Sequence, residues 1–259
     1  KYFIDISEFE ISNSPKKGSI GITNFITKVA TKKQYVAKTS YQECNPQHFY
    51  YILREISSLI QINHLTIMPI EGFSYEDFDR NNKVTIIMDY MENGSLADLL
   101  QKGVQSNFPS EYNNTKRQII LVGICYGKMI LHKNRILHRD SKPENGLIDD
   151  KYKPKLTNYG LTKIFDLHNI MSQPAAGYPI FTYMAPEVLR GNHFNPKSDD
   201  YSFGILMYEI IFGCRSFSDV IYKKWLNNAQ LKANNLKVLR PEFKKTIKIH
   251  LFVFEKFDI

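Results

Sequence analysis

The chain has 259 residues, enough for one large domain or for two lobes with well-buried cores. Its hydrophobic content of 43% is that of an ordinary globular protein, and no apolar run is long enough to span a membrane. The net charge of +8 comes from dispersed lysines, which argues for a solvated basic surface and against nucleic-acid binding.

The cysteines and the first ten residues indicate the cellular compartment in which the protein is expected. Cys44, Cys125 and Cys214 are scattered, without the spacing of a disulfide framework or of a zinc site. The first ten residues lack the sustained apolar core of a secretory signal. We therefore expect reduced, buried cysteines and a cytoplasmic protein.

The first eighty residues predict strands and one helix. Residues 1–11 alternate weakly, as in an edge strand or a lead-in segment, and Gly18 and Gly21 lie in a short turn-forming segment. Residues 34–39 read as a strand, in which alternation places Val36 and Lys38 on the same face.

A helix is predicted over residues 49–62. Ile52, Glu55, Ile56 and Leu59 recur at helical spacing, so the carboxylate lies within an apolar stripe. A carboxylate that faces a core is costly unless it is paired. Glu55 therefore either pairs with a cation or reaches solvent at the edge of the stripe.

A buried strand and a run of helices follow. Residues 83–90 read as the strand, and the polar segment 91–96 leads into helical sequence from Leu96 onward. Residues 116–134 predict a long core helix. Its buried stripe contains Ile120, Ile124, Gly127 and Leu131.

The segment Ile136–Gly160, ILHRDSKPENGLIDDKYKPKLTNYG, has the densest chemistry of the chain. Asp140, Lys142 and Asn145 fall within six residues, and Pro143 favours a tight turn that directs their side chains into one volume. A carboxylate, a cation and an amide oxygen held together suit a phosphoryl group and its metal ion.

These residues carry a resemblance to a known family. The run HRDSKPEN resembles the catalytic loop of protein kinases in its serine/threonine form, and Asn158-Tyr159-Gly160 stands where that family has Asp-Phe-Gly. The resemblance extends over about residues 12–240. It implies an α+β, bilobal fold with a small β-rich N-lobe (1–90), containing one main helix, and a larger helical C-lobe (91–259), whose last helices we expect to be incomplete.

The resemblance also implies a nucleotide site. The turn with Gly18 and Gly21 is similar to the loop that covers the phosphates of ATP, and Lys38 would reach those phosphates while paired with Glu55. The residues implied to surround adenine are Val36, Met88 and the backbone of Asp89 and Met91.

The resemblance assigns catalytic and metal roles as well. Asp140 would accept or orient the proton of the substrate hydroxyl, and Lys142 would neutralise charge on the moving phosphoryl group. Asn145 and Asn158 would bind Mg²⁺ or Mn²⁺.

Three further residues are expected to support this site. Arg139 would dock a phosphorylated activation segment, Glu187 belongs to a motif similar to Ala-Pro-Glu, and Asp199 would accept hydrogen bonds from the backbone of the catalytic loop. His138 is expected to be a packed structural residue. The candidate phosphate acceptors of the activation segment are Thr162, Ser172, Tyr178, Thr182 and Tyr183.

Asn158 is the main departure from the family pattern. An amide oxygen is neutral, whereas hard cations prefer carboxylate oxygen. Losing one such ligand is expected to remove roughly 3 to 5 kcal/mol of stabilisation, or about two to four decades in rate. Lys16 replaces a glycine of the phosphate-covering loop, and the C-terminal sequence lacks the tryptophan and arginine usual there.

Two functions therefore remain open. The first is ATP-dependent phosphoryl transfer to serine or threonine hydroxyls of protein substrates in signalling. The second is a pseudokinase that binds nucleotide or a protein partner and acts as a scaffold or an allosteric regulator.

Overall fold

An antiparallel sheet forms the N-terminal half of the protein. The computed structural model describes residues 2–18, 21–44, 49–104, 112–159, 182–191, 193–213 and 215–216. Within these residues the strands of the sheet are β1 (Phe9–Ile11), β2 (Lys16–Lys17), β3 (Ile22–Lys28), β4 (Gln34–Thr39), β5 (Ile70–Ser74) and β6 (Thr85–Asp89). Their order is β1-β3-β4-β6-β5, and β2 pairs with β3.

The register of the sheet places the candidate nucleotide residues on a common face. Val36 of β4 lies opposite Phe25 of β3 and opposite Met88 of β6. Lys38 lies two residues further along β4, so its side chain projects from the same face as that of Val36. The alternation predicted for residues 34–39 is therefore observed.

Helix α1 (Phe49–Ile60) is the one helix within the span of this sheet, between β4 and β5, in the described residues. Ile52, Ile56 and Leu59 are buried in the main core, as their helical spacing predicts. Glu55 is half-buried at the edge of this stripe.

Helices dominate the C-terminal half. They are α2 (Leu96–Val104), α3 (Asn114–Lys133), the short α4 (Pro186–Leu189) and α5 (Pro196–Phe212). A small hairpin, β7 (Gly146–Ile148) and β8 (Pro154–Leu156), follows α3. Helix α5 begins with a capping box between Asn195 and Ser198 and ends at Gly213, whose φ of 66° is a left-handed conformation that favours glycine.

Helix α3 packs closely against the hairpin. Ile120, Ile124 and Leu131 are fully buried, in agreement with the predicted stripe. A side chain on Gly127 would place its Cβ 2.9 Å from Leu156 Cδ1 and 3.0 Å from the Thr66 carbonyl oxygen. Glycine at this position therefore lets α3 lie directly against β8 and the backbone at Thr66.

One hydrophobic core cluster joins the two halves, because residues of α1, β5 and β6 belong to the same cluster as residues of α3, β8 and α5. The predicted bilobal α+β architecture is confirmed. The division at residue 90 remains a prediction, and the expectation that the last helices of the C-lobe are incomplete concerns residues outside the described ranges. Among the helices that the structure describes, none combines the length and apolar character of a membrane span.

Candidate active site

Five side chains form a continuous chain of contacts in the cleft between the two halves. The Lys38 amine donates to Asn158 Oδ1, although the two residues are 120 positions apart. Asn158 Nδ2 donates to Asn145 Oδ1 at 2.5 Å, and Asn145 Nδ2 donates to Asp140 Oδ2 at 2.7 Å. Lys142 Nζ lies 2.8 Å from the same Asp140 oxygen. The structure therefore brings all five predicted residues together.

Local backbone geometry positions this set. Pro143 begins a single 3-10 turn that ends at Asn145, and the Asn145 amide donates to the Lys142 carbonyl at 2.9 Å. The Thr157 amide then donates to the Asn145 carbonyl at 3.0 Å. A main-chain hydrogen bond thus links the catalytic loop to the segment that carries Asn158.

Asn158 has an unusual backbone conformation, and Tyr159 is anchored by a hydrogen bond. Asn158 has a φ of 65°, a left-handed conformation that asparagine adopts more readily than most residues. The Tyr159 ring is buried, and its hydroxyl donates to the Met68 carbonyl at 2.8 Å. Because this hydroxyl is the atom by which tyrosine differs from phenylalanine, the substitution adds a hydrogen bond here.

The Lys38 amine is an unusually weak base. Burial lowers its pKa to about 8, Asp140 opposes this shift, and Lys142 adds to it by charge repulsion. The sequence predicted a pair between Lys38 and Glu55, whereas the structure shows the amine against Asn158. The pair with Glu55 remains a prediction.

Asp199, on α5, supports the catalytic loop. Its Oδ2 accepts from the His138 amide and contacts His132 Nε2, both at 2.9 Å, and its Oδ1 accepts from the Arg139 amide at 2.9 Å. Burial alone would raise the pKa of Asp199, but these hydrogen bonds and the nearby His138 lower it to about 2. The backbone hydrogen bonds expected from the sequence are therefore observed.

His138 and Arg139 contribute mainly through their main chain. The His138 ring is fully buried, its nitrogens have no hydrogen-bond partner among the described residues, and burial lowers its pKa. The ring is thus a packed structural residue, as expected. Arg139 has a φ of 65°, and its role in docking a phosphorylated segment remains a prediction.

The turn expected to cover the phosphates is closed by glycine. The Gly18 amide donates to the Gly21 carbonyl at 2.9 Å. A Cβ on Gly21 would lie 2.2 Å from the Thr39 carbonyl oxygen, so only glycine fits without a backbone shift. Residues 19–20, at the tip of the turn, lie outside the described residues.

The expected adenine residues lie along one end of β4 and β6. Met88 is buried opposite Val36, and its sulfur lies 3.5 Å from the Thr157 hydroxyl. Asp89 forms an ion pair of 2.7 Å with Lys33, and Met91 packs against the main core. Their contacts with adenine remain predictions.

Sequence reasoning missed Arg215. Its guanidinium contacts Glu144 of the catalytic loop, donates to the Tyr183 hydroxyl at 2.8 Å and lies 3.6 Å from Glu209. Glu209 is fully buried in α5 and also accepts from the Ser216 amide at 2.7 Å. The one sequence signal was a carboxylate within an apolar helix, which indicates a buried partner without identifying it.

The activation segment is described only at its C-terminal end. Thr182 and Tyr183 are both buried, so neither hydroxyl is accessible to phosphorylation in this structure. Thr162, Ser172 and Tyr178 lie outside the described residues. Glu187 lies in α4, and its supporting role remains a prediction.

Comparison with known proteins identifies the family. The protein kinase domain family matches residues 16–251, so the chain belongs to that family. Its members in general use ATP together with a divalent cation.

Several kinases are similar to this chain. Mitogen-activated protein kinase kinase 1 of Arabidopsis thaliana is 31% identical over 222 residues, which cover 85% of this chain and 59% of that protein. A probable leucine-rich repeat receptor-like serine/threonine-protein kinase of the same plant is 32% identical over 73% of this chain and 19% of its own length. Human NUAK family SNF1-like kinase 1 is 28% identical over 83% of this chain and 31% of its own length. The chain thus spans at most about three fifths of these relatives.

Proposed function

We propose that this domain binds ATP in the cleft and transfers its γ-phosphoryl group to serine or threonine hydroxyls of cytoplasmic proteins. The observation that carries the proposal is the convergence of Lys38, Asp140, Lys142, Asn145 and Asn158 in one cleft. The serine/threonine assignment is supported by the form of the catalytic loop and by the similarity to the probable leucine-rich repeat receptor-like serine/threonine-protein kinase.

Asp140 is the group that orients the attacking hydroxyl. Asn145 and Lys142 hold its Oδ2, so the carboxylate has a defined direction before substrate binds. It accepts the hydroxyl proton as the bond to phosphorus forms. Lys142 lies next to the position where negative charge develops, and Lys38 provides a second cation from the sheet.

The side chains do not suit a tightly held divalent cation. The sequence predicted Mg²⁺ or Mn²⁺ at Asn145 and Asn158, but both side chains are neutral amides, and each amide oxygen already accepts a hydrogen bond. The described residues contain no cluster of three or more histidine, cysteine or acidic side chains that could hold a metal ion. In the proposed phosphoryl transfer, the protein therefore contributes Asp140 as the proton acceptor and Lys38 and Lys142 as the cations.

The second candidate is a domain that binds nucleotide or a protein partner without transferring phosphate. The hydrogen bond between Asn158 and Asn145 favours it, because this contact occupies the position where a catalytic metal ion is expected in the family. In that case the bound nucleotide would stabilise one arrangement of the two halves for recognition by a partner.

Phosphotransfer from radiolabelled ATP to a general protein substrate separates the two candidates. Wild type is assayed with Mg²⁺ and with Mn²⁺ beside Asp140→Ala, which removes the proposed base. Transfer by wild type that the variant lacks supports the kinase. Equal signals, or no signal in either protein, would overturn it in favour of the second candidate.

A further inference from the structure

We propose that the Asn158 amide replaces the divalent cation of this cleft, so that the domain binds a nucleoside triphosphate without Mg²⁺. The inference rests on the proposed function only in taking ATP as the ligand. It concerns nucleotide binding and does not depend on whether phosphate is transferred.

The orientation of both amides is dictated by their neighbours. The Lys38 ammonium can only donate, so the Asn158 atom facing it must be Oδ1, and Nδ2 must face Asn145. At the other end the Asp140 carboxylate can only accept, so Asn145 must turn its Nδ2 toward Asp140 and its Oδ1 toward Asn158. Each contact along the chain therefore joins a donor to an acceptor.

An aspartate at position 158 could not form the hydrogen bond to Asn145 that links these side chains. Its carboxylate would face Asn145 Oδ1, and two acceptor oxygens would then meet with no hydrogen between them. A cation between the two oxygens would relieve the repulsion. Asn158 supplies a hydrogen at that point instead, and the contact is 2.5 Å long.

Burial of the two asparagines makes the hydrogen bond between them costly to break. Asn145 and Asn158 are 2% and 8% exposed, so water cannot readily replace a hydrogen bond that is broken between them. A divalent cation entering the cleft would have to separate the two amides and turn at least one of them. From these two side chains it would recover only neutral oxygen ligands, which bind hard cations weakly compared with carboxylates.

The net charge of the five side chains also disfavours a divalent cation. The five side chains comprise two ammonium groups, one carboxylate and two neutral amides, so their net charge is +1. With aspartate at position 158 the sum would be zero. The positive charge repels a free divalent cation and attracts the phosphates of free ATP, whose charge Lys38 and Lys142 can meet directly.

The test is a calorimetric titration of the 259-residue chain with ATP, in excess EDTA and then in excess Mg²⁺. We expect the two Kd values for wild type to agree within about threefold. For Asn158→Asp we expect binding at least about tenfold tighter with Mg²⁺ than with EDTA. Asn82→Asp, an exposed asparagine in the turn between β5 and β6, adds the same charge away from the cleft and should behave as wild type.

The outcomes separate this inference from the proposed function. Wild-type binding that requires Mg²⁺ would overturn the inference and leave the kinase proposal standing. Binding without Mg²⁺, together with a negative phosphotransfer assay, would support the inference and overturn the kinase proposal. Absence of ATP binding under both conditions would overturn both, and this result comes from wild type alone, so it does not depend on the folding of a variant.

Discussion

Asp199→Asn tests how much the buried carboxylate that supports the catalytic loop contributes to the free energy of unfolding. Asparagine has nearly the same shape, but one of its two acceptor atoms becomes a donor. In one orientation the new NH₂ group faces the Arg139 amide, and in the other it faces the His138 amide and His132. At least one buried main-chain donor therefore loses its acceptor in either orientation.

Two estimates of the cost agree. Hydrogen bonds to a charged group contribute about 1.5 to 3 kcal/mol each, so losing at least one of them predicts a cost of about 2 to 4 kcal/mol. The lowering of the Asp199 pKa from 3.8 to about 2 corresponds to about 2 kcal/mol of stability by linkage. Because the folded state depresses this pKa, the contribution is present above about pH 4 and is lost as the pH falls toward 2.

Equilibrium urea unfolding, followed by circular dichroism, measures this loss. Asp150→Asn is the matched control, because it makes the same chemical change at an exposed aspartate in the turn between β7 and β8. We expect the control to cost less than about 1 kcal/mol. The reasoning fails if Asp199→Asn costs no more than Asp150→Asn. It also fails if Asp199→Asn loses as much stability as wild type between pH 4 and pH 2, because the variant lacks the carboxylate that titrates there.

Three further substitutions probe the other contacts of the site. Tyr159→Phe removes the hydrogen bond to Met68 and should lower the free energy of unfolding by about 1 kcal/mol, and an unchanged urea midpoint would contradict this. Arg215→Gln leaves Glu209 buried without its cation and should cost about 3 to 5 kcal/mol. The double variant with Glu209→Gln should recover part of that loss, and a simple sum of the two costs would argue against the pair. Gly21→Ala forces the sheet apart at Thr39 and should cost about 1 to 3 kcal/mol. Gly18→Ala, whose new Cβ would come no nearer than 3.3 Å to another atom, should cost less, and equal costs would show that the close approach does not matter.

Much of the fold could be predicted because the relevant information is local. The strand over residues 34–39 has the predicted bounds, and the helix predicted over 116–134 runs from Asn114 to Lys133. Alternation and helical spacing show which side of an element meets the core, since each depends only on the geometry of a single element. The backbone partners of Asp199 could be anticipated because the family motif was recognisable.

The contacts of the site were harder to predict. No sequence pattern indicated that the Lys38 amine donates to Asn158, and Arg215 carried no signal of its own. Such choices depend on distances of a few tenths of an ångström between residues that are far apart in sequence. No periodic pattern encodes those distances.

By itself the sequence determined the elements, the kinase family motifs and the substitution of an amide for a carboxylate at position 158. Only the tertiary structure decided what that amide does, because a side-chain amide can either donate or accept. Its role became definite once the chain folded and placed Lys38 on one side of it and Asn145 on the other.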